Sequence, residues 1–287
     1  MKRLSFSFFA FVLSLWLAGG CGAQQMQNTL KRIQETKTIR FGYLEQSVPF
    51  SYVDNRKPQG YSVELCQKVA SGIERQLGLE ELNVQWVPVT LLNRFEMVTN
   101  GTIDLECGIS TITVSRQKIV DFSLMTWLDG GNFIVRDGQP RGGLDDLAGK
   151  RIAVIVGTTT ETALQDALKR NSITADIVLV KEHLQGLEAV DQGKADAYAA
   201  DQTVLIGLAL AVRDQLKLKI SEQNFSYEPY GLTMRRNDAD FKQAVNQTLA
   251  RLYRTGQVVA IYNRWFGKLG NPSPLLTAMY AINGLPE

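Results

Sequence analysis

Threonine hydroxyls and a glycine cluster in Val156-Gly157-Thr158-Thr159-Thr160-Glu161, between a strand-like run and a helix-like run. Thr158 and Glu161 have the spacing of a capping box, which predicts Thr158 as the N-cap. A helix N-terminus presents unpaired N–H groups and partial positive charge, Gly157 permits close backbone approach, and Thr158 or Thr159 can add a hydroxyl. The segment therefore predicts an anion site, although most such caps only start a helix.

Two charged residues stand at the ends of predicted elements. Arg116 follows Thr111-Ile112-Thr113, and Asp201 ends a strand-like run. By itself Arg116 is typical of a surface arginine at a helix start, and Asp201 of an N-cap for the next helix. We find no Ser-His-Asp spacing, metal motif or phosphate loop, and a single histidine, His183, argues against structural zinc. We expect no cofactor and no metal.

Strand and helix signals alternate along the chain. The first run predicts strands over 38–43 and 83–88, and helices over 62–77 and 91–99. Strands separated by helices of ten or more residues favour a largely parallel sheet covered on both faces. The predicted fold class is therefore α/β.

A second α/β run starts after Gly142-Gly143 and is inserted in the first, from about 135 to 225. It predicts strands over 151–156, 175–180 and 195–199, and helices over 161–169 and 183–192 and from Gln202. The apolar run Thr203 to Val212 is too short to span a membrane and predicts a buried helix. Helices over 239–253 and 257–265 return to the first unit.

The insertion requires two chain crossings, which we place near Gly130 to Val135 and near Tyr227 to Leu232. They would serve as a hinge, and the cleft between the two units is the expected ligand site. Prolines at 272, 274 and 286 predict a loosely ordered tail.

The first twenty residues have a basic start, no acidic residue and an apolar stretch from Leu4 to Ala18, which predicts a cleaved export signal. Leu17-Ala18-Gly19-Gly20-Cys21 resembles a lipobox, in which Cys21 becomes a lipidated N-terminus; cleavage after Ala23 is the alternative. We therefore expect a signal over 1–20, a tether over 21–36, and a protein in the periplasm or on the outer face of the cell membrane, lipid-anchored at Cys21.

Removing the signal takes away two of the 31 basic residues and none of the 29 acidic residues, which leaves a formally neutral chain. A neutral balance argues against nucleic acid and against electrostatic adhesion to membranes. Only Cys66 and Cys107 would then remain, in a compartment where disulfides form. Their spacing leaves open whether they are bonded.

Gly60-Tyr61-Ser62-Val63-Glu64-Leu65, followed by Val69-Ala70, resembles the signature of the family 3 extracellular solute-binding proteins, the polar amino acid receptors of ABC importers. Ser62 departs from the acidic residue usual there. The resemblance extends, in the family's order, through Ser47-Val48-Pro49-Phe50, Gly101-Thr102-Ile103-Asp104, Ser115-Arg116-Gln117-Lys118, Asp121-Phe122-Ser123, Gly157-Thr158-Thr159 and Trp265-Phe266. Asn93-Arg94, Glu106-Cys107-Gly108 and Ser47 to Tyr52 resemble the glutamate/aspartate-binding branch.

The resemblance implies a periplasmic-binding-protein-like fold with lobe one at 37–132 and 228–287 and lobe two at 133–227. It implies a monomer that captures a polar L-amino acid, with glutamate, aspartate or their amides favoured, and delivers it to an ABC transporter permease without catalysis. A dehydratase or lyase on the same fold is the alternative, with Glu45, Glu106 or Asp201 as general acid. A ligand-sensing receptor is a third reading.

Family positions also imply roles at the two charged groups of an amino acid. Arg116 would grip the α-carboxylate through its planar fork, with Thr158 and Thr159 adding contacts from the other lobe. Asp201 would receive the ammonium. The Gly108 carbonyl and the Thr111 hydroxyl would complete the three acceptors of that group.

The pocket for the ligand's side chain is mixed in character. Arg94 and His183 match polar, anion-seeking positions of the glutamate/aspartate branch, although His183 could equally be a helix-surface histidine. Leu44, Leu91 and Ile109 stand where that branch tends to carry arginine, serine and serine. Ser47 completes the predicted pocket. These apolar positions leave glutamate and its amides as competing ligands.

Overall fold

The computed structural model describes residues 28–139, 143–212 and 216–286. The predicted signal, Cys21 and the first part of the tether lie outside these residues. In chain order the strands are β1 (Thr38–Tyr43), β2 (Gln46–Ser47), β3 (Ser51–Asp54), β4 (Lys57–Gln59), β5 (Asn83–Pro88), β6 (Leu105–Glu106), β7 (Val120–Asp129), β8 (Gly131–Arg136), β9 (Arg151–Ile155), β10 (Asp176–Val180), β11 (Ala197–Asp201), β12 (Leu218–Ile220) and β13 (Glu228–Arg235).

Helices follow the periodic apolar stretches of the sequence. They are α1 (Thr29–Thr36), α2 (Tyr61–Leu77), α3 (Arg94–Thr99), α4 (Thr159–Arg170), α5 (His183–Asp191), α6 (Gln202–Val212), α7 (Ala239–Arg254), α8 (Gln257–Phe266) and α9 (Pro274–Asn283). Short 3-10 turns lie at Arg116–Lys118, Leu144–Leu147 and Gly267–Leu269. No helix in the described part of the chain is long and apolar enough to cross a membrane.

Two five-stranded sheets form the cores of two lobes, with strand orders β5-β1-β6-β13-β7 and β10-β9-β11-β8-β12. The predicted α/β class is confirmed. The expectation of largely parallel sheets is wrong for half of each sheet, because β13 is antiparallel to β6 and β7, and β8 is antiparallel to β11 and β12. The chain enters β8 and β13 directly from the other lobe, from β7 and β12. The parallel neighbours, in contrast, are joined by helices that pack on their own sheet.

The chain passes between the two sheets twice, at Gly130 and again over 221–227. The two crossings touch each other. A Cβ added to Gly130 would lie 2.6 Å from Asn224 Nδ2 and 2.7 Å from the Ser226 carbonyl oxygen. The hinge is therefore a pair of packed segments that leaves no room for a side chain at Gly130.

Residues 29–36 are a helix, so the tether prediction is wrong for this stretch. Thr29 donates its backbone N–H to Asp238 at 3.1 Å, and its hydroxyl bonds the same carboxylate. Ile33 is fully buried. An apolar stripe and an anchor at the start of α7 thus fix α1 on lobe one, where the tether was expected to be free.

The prediction of a loosely ordered tail is also wrong. Ser273 caps α9 by accepting a hydrogen bond from the Leu276 N–H at 3.1 Å, and Pro274 occupies the first turn, where its missing N–H is not needed. Tyr280 lies 2.9 Å from Tyr61, hydroxyl to hydroxyl. The prolines therefore start and follow a docked helix.

The two cysteines left open by the sequence are bonded. The Cys66–Cys107 disulfide joins α2 to the residue that follows β6, with 6.2 Å between the Cα atoms. It holds the Glu106-Cys107-Gly108 segment, which leads into the cleft, against the body of lobe one.

Candidate functional site

The cleft between the two sheets holds a cavity of about 370 Å³, its open mouth included. Lobe one contributes Leu91, Arg94, Ile109, Thr111 and Arg116, and lobe two contributes Ile155, Thr158, Thr159, Thr160, His183, Tyr198, Ala199, Ala200 and Asp201. Among the predicted site residues, Leu44, Ser47 and Gly108 stand outside this lining.

The lobes are closed on each other. Ser47 Oγ on lobe one lies 3.3 Å from His183 Nε2 on lobe two, and Gln46 Oε1 accepts a hydrogen bond from the Leu184 N–H at 3.3 Å. Gly207 on α6 packs so tightly on the Val48 carbonyl that an added Cβ would lie 2.5 Å from its oxygen. The strand and loop from Gln46 to Val48 therefore form a lip of lobe one that seats on α5 and α6.

Arg116 starts a short 3-10 turn and extends into the cleft. Its backbone N–H donates to Thr113 Oγ1 at 3.1 Å, and its Nη1 donates to the Thr111 carbonyl at 2.9 Å. The guanidinium carbon lies 5.0 Å from the centre of the Phe95 ring. Burial lowers the Arg116 pKa, and the charge of Glu228 is the largest influence that opposes this shift. An arginine keeps its charge in such a setting, so the cleft holds a fixed cation.

Thr158 caps α4 as predicted. Its Oγ1 accepts a hydrogen bond from the Glu161 N–H at 3.1 Å and donates to the Ile155 carbonyl at 2.7 Å. In a capping box the Glu161 carboxylate would accept a hydrogen bond from the N–H of the N-cap, Thr158. Here it accepts one from the Gly157 N–H, one residue earlier, at 2.6 Å. The hydroxyl of Thr158 is thus used by the cap, and the first amides of α4 are the groups that geometry leaves for an anion.

Asp201 ends β11 and does not cap α6. Its Oδ1 accepts a hydrogen bond from Thr160 Oγ1 at 2.9 Å, and its Oδ2 accepts one from the Tyr230 hydroxyl of lobe one. Asp129, at the first crossing, instead receives the Thr203 N–H at the start of α6, at 3.2 Å. Burial and the charge of Glu228 raise the pKa of Asp201 to about 6.

Three acidic side chains meet near the hinge, and sequence reasoning found only Asp201. Glu228 accepts hydrogen bonds from the hydroxyls of Thr111 and Thr159, and Tyr230 bonds both Asp201 and Asp129. Burial and Asp201 raise the pKa of Asp129. The sequence did contain a signal for the other two residues: Asp129 directly precedes the first predicted crossing, and Glu228 lies within the second.

The opposite end of the cavity is built around Arg94, which is 2% exposed. Its Nε donates to Ser110 Oγ at 2.8 Å and its Nη1 to the Leu91 carbonyl, so part of the guanidinium is used internally. Glu106 lies fully buried nearby; burial raises its pKa and the charge of Arg94 opposes that rise. Leu91 and Ile109 supply apolar wall.

His183 is buried and bonded on both ring nitrogens. Nδ1 lies 2.7 Å from the Tyr198 hydroxyl, and Nε2 faces Ser47 across the cleft. Burial lowers the His183 pKa to about 4, so the ring is neutral at pH 7. It can offer a dipole to a ligand but not a charge.

Gly108 and Leu44 form a second layer behind the cavity. The Gly108 carbonyl accepts a hydrogen bond from Ser62 Oγ at 2.7 Å, in the signature where an acidic residue was expected. A Cβ on Gly108 would lie 2.8 Å from Leu44 Cδ1 and 2.0 Å from a Glu106 oxygen. Leu44 therefore packs against Gly108. This is the position at which the glutamate/aspartate-binding branch tends to carry an arginine.

The carboxylic acids considered as general acids differ in position. Glu45 is exposed, Glu106 is buried behind the wall, and Asp201 faces the cavity with two hydroxyl donors. Within the described residues no group of three or more His, Cys, Asp or Glu is arranged to hold a metal ion.

Comparison with known proteins gives a consistent set of relatives. The model of the bacterial extracellular solute-binding proteins, family 3, matches residues 39–268. The chain is 33% identical to an L-glutamate/L-aspartate-binding protein of Pseudomonas aeruginosa over 89% of this chain and 85% of the relative. It is 30% identical to a glutamate/aspartate import solute-binding protein of Salmonella typhimurium over 96% and 90%, respectively.

Among solved structures, an ancestral amino acid-binding protein, AncCDT-1, described as a precursor of cyclohexadienyl dehydratase, superposes with a TM-score of 0.70. The match has 26% sequence identity and covers 83% of this chain and 99% of that one. The similarity supports the two-lobed fold expected from the sequence.

Proposed function

The chain belongs to the bacterial extracellular solute-binding proteins of family 3, and we propose that it captures a polar L-amino acid and delivers it to an ABC importer. One observation carries the proposal. Arg116 of lobe one and Asp201 of lobe two face the same closed cavity, so a fixed cation and a carboxylate are available to the two charged groups of one amino acid. A ligand that touches both lobes stabilises their closed state by differential affinity.

For the ligand's side chain we propose glutamate, aspartate or their amides. Relatives named for glutamate and aspartate support an acidic side chain, as does Arg94 in the cavity. Leu91 and Ile109 beside it favour methylenes and a single polar anchor. A neutral His183 adds no positive charge for a second carboxylate.

The lobe boundaries are part of the proposal. The expected bounds are 37–132 and 228–287 for lobe one and 133–227 for lobe two; β8 enters the lobe-two sheet at Gly131, two residues earlier. Helix α1 packs on lobe one ahead of these bounds. We also propose a monomer anchored by lipid at Cys21, outside the described residues, which would keep the receptor near its permease. Replacing Cys21 by Ala should release the protein from the membrane fraction.

We propose that the protein binds without catalysis. Asp201, the candidate acid that lines the cavity, already accepts hydrogen bonds from two hydroxyl groups, and we assign it to the ligand's ammonium. The likeness to a dehydratase precursor makes the alternative concrete. Turnover of a prephenate-like compound by the purified protein would overturn the binding-only proposal.

Thermal unfolding of the protein without residues 1–20, measured against each of the twenty amino acids, tests the function. A ligand present at 100 times its dissociation constant raises the free energy of unfolding by about 2.7 kcal/mol. We expect a shift with a small polar subset. A flat response to all twenty would contradict the amino acid assignment.

A further inference from the structure

Glu106 is a fully buried carboxylate that lies behind the cavity wall near Arg94. It ends β6, the central strand of the lobe-one sheet, and pairs with Gly42 on one side and Thr233 on the other. Within the described residues neither of its carboxyl oxygens has a hydrogen bond of normal geometry. A carboxylate in that setting is costly unless a nearby charge offsets its burial.

The charge that offsets the burial of Glu106 is Arg94. Helix α3 begins at Arg94 and packs on β6 and β13, which places it against the strand that carries Glu106. Burial lowers the Arg94 pKa to about 10, and the charge of Glu106 is the largest influence that opposes this shift. The guanidinium is therefore charged at pH 7. A buried anion beside a buried cation lowers the free energy of both charges, so Arg94 has its counter-ion on its own lobe.

Among the described residues, the other side chains at this end of the cavity add no charge. Leu91 and Ile109 on the wall are apolar, and burial lowers the His183 pKa to about 4, so its ring is neutral at pH 7. Arg116, the second cation of the cavity, is assigned to the ligand's α-carboxylate. The Arg94 end therefore holds one positive and one negative charge, and its net charge is zero.

We propose that Glu106 is a specificity-determining residue: as the counter-ion of Arg94 it leaves this end of the cavity without net charge, so that an amide side chain is selected over a carboxylate. A ligand carboxylate would bring a second anion to one buried cation. An amide oxygen can accept a hydrogen bond from the guanidinium without adding charge. The inference rests on the proposed amino acid function and narrows its ligand class to the amides.

Two ligand pairs test the inference in the wild-type protein. Glutamine differs from glutamate, and asparagine from aspartate, by an amide group in place of a carboxylate. Calorimetry at neutral pH gives the four dissociation constants. In the pair that binds more tightly, we expect the amide to bind about tenfold or more tightly than its acid. Equal affinities, or a preference for the acid, would overturn the inference.

Removing the counter-ion should shift this preference toward the acid. In E106Q the charge of Arg94 is uncompensated at nearly constant shape, and we expect the ratio of acid to amide affinity to rise about tenfold or more. E106D keeps the carboxylate and should keep the wild-type ratio. The matched control is E96Q, which removes an exposed carboxylate from the same helix as Arg94 and should leave the ratio unchanged.

A merely structural role for Glu106 predicts a different result. E106Q would then weaken the binding of acid and amide by the same factor, and a ratio that stays at its wild-type value overturns the inference. If thermal unfolding shows that E106Q does not fold, the two ligand pairs in the wild type decide the question. If the wild type binds none of the four amino acids, the proposed ligand class is wrong and the inference falls with it, whereas binding without a preference for the amide refutes the inference alone.

Discussion

The two ends of the cavity are built on different principles. At one end Arg116, Asp201 and Glu228 bring ionisable side chains from both parts of the cleft, and hydroxyl groups donate hydrogen bonds to both carboxyl groups. At the other, Arg94 spends part of its guanidinium on its own lobe, beside Leu91 and Ile109. The α-carboxylate and α-ammonium are common to all amino acids, so a rigid set of charged residues can bind them. The side chain varies between amino acids, and a largely apolar pocket with a few polar groups can bind it.

Removing the clamp should have the largest effect. Arg116→Ala leaves a ligand carboxylate without its charged partner in a closed cleft, a loss of about 3 kcal/mol or more, equivalent to roughly 100-fold or more in affinity. Calorimetry with L-glutamate and L-glutamine measures it, and both ligands should suffer alike. Arg170→Ala, on the exposed end of α4, is the control. A loss confined to one ligand would mean that Arg116 serves the side-chain end.

Closure affects both ends together, and Gly207 is one of the tight contacts between the lobes. In Gly207→Ala the new methyl meets the Val48 carbonyl and holds the lobes apart, at a cost of about 2 kcal/mol, or roughly 30-fold in affinity for every ligand. Small-angle scattering should show a larger radius of gyration with ligand than in wild type. Gly267→Ala, whose Cβ would meet only Asn263 at 3.7 Å, should change neither quantity. Wild-type affinity in Gly207→Ala would show that the lip can move without cost.

Local signals in the sequence predicted the individual helices and strands, because hydrophobic periodicity and capping residues act within one element. The bounds of α2 and α6 and the Thr158 cap follow from such signals. Non-local outcomes did not follow: the docking of α9 on Tyr61 depends on which surfaces become neighbours.

The same division holds for the site. Arg116 and Asp201 were placed in the cleft by family positions. Glu228 and Tyr230 were missed because they act through residues of the other lobe that lie far away in the chain. Leu44 was expected in the pocket wall, and only three-dimensional packing shows it behind Gly108.

Substitutions at the Arg94 end of the cavity should change the selectivity between ligands. Arg94→Gln removes the cation but keeps an amide near Ser110, and we expect the ratio of glutamate to glutamine affinity to fall about tenfold, the value of about 1.5 kcal/mol for one charged hydrogen bond. Competition calorimetry gives the ratio. Arg94→Lys, which keeps the charge, should retain part of it. An unchanged ratio in Arg94→Gln would mean that Arg94 is a structural arginine.

Acidification should weaken ligand binding at the end of the cavity that contains Arg116 and Asp201. Below a pKa of about 6 the ligand-free Asp201 is protonated, and a proton there competes with the ligand's ammonium. Because the bound ammonium lowers that pKa, affinity should rise with pH and level off above it, by about fourfold between pH 5.5 and 7.5. Asp201→Asn should bind weakly at both pH values and lose the dependence. A pH response that persists in Asp201→Asn would place the titrating group elsewhere.

Among the cavity-lining residues considered, His183 should contribute least to binding. Its ring is neutral at pH 7, because burial lowers the pKa to about 4, and its contact with Ser47 is a single uncharged hydrogen bond at 3.3 Å. Such a bond is worth about 0.5 kcal/mol, so His183→Gln should change the affinity for glutamate by no more than about threefold. Ser47→Ala should have a similar effect, and the double variant should add little, since both remove the same contact. A loss of tenfold or more in His183→Gln, with Ser47→Ala unaffected, would instead mean that His183 bonds the ligand directly and that the side-chain end has a second polar anchor.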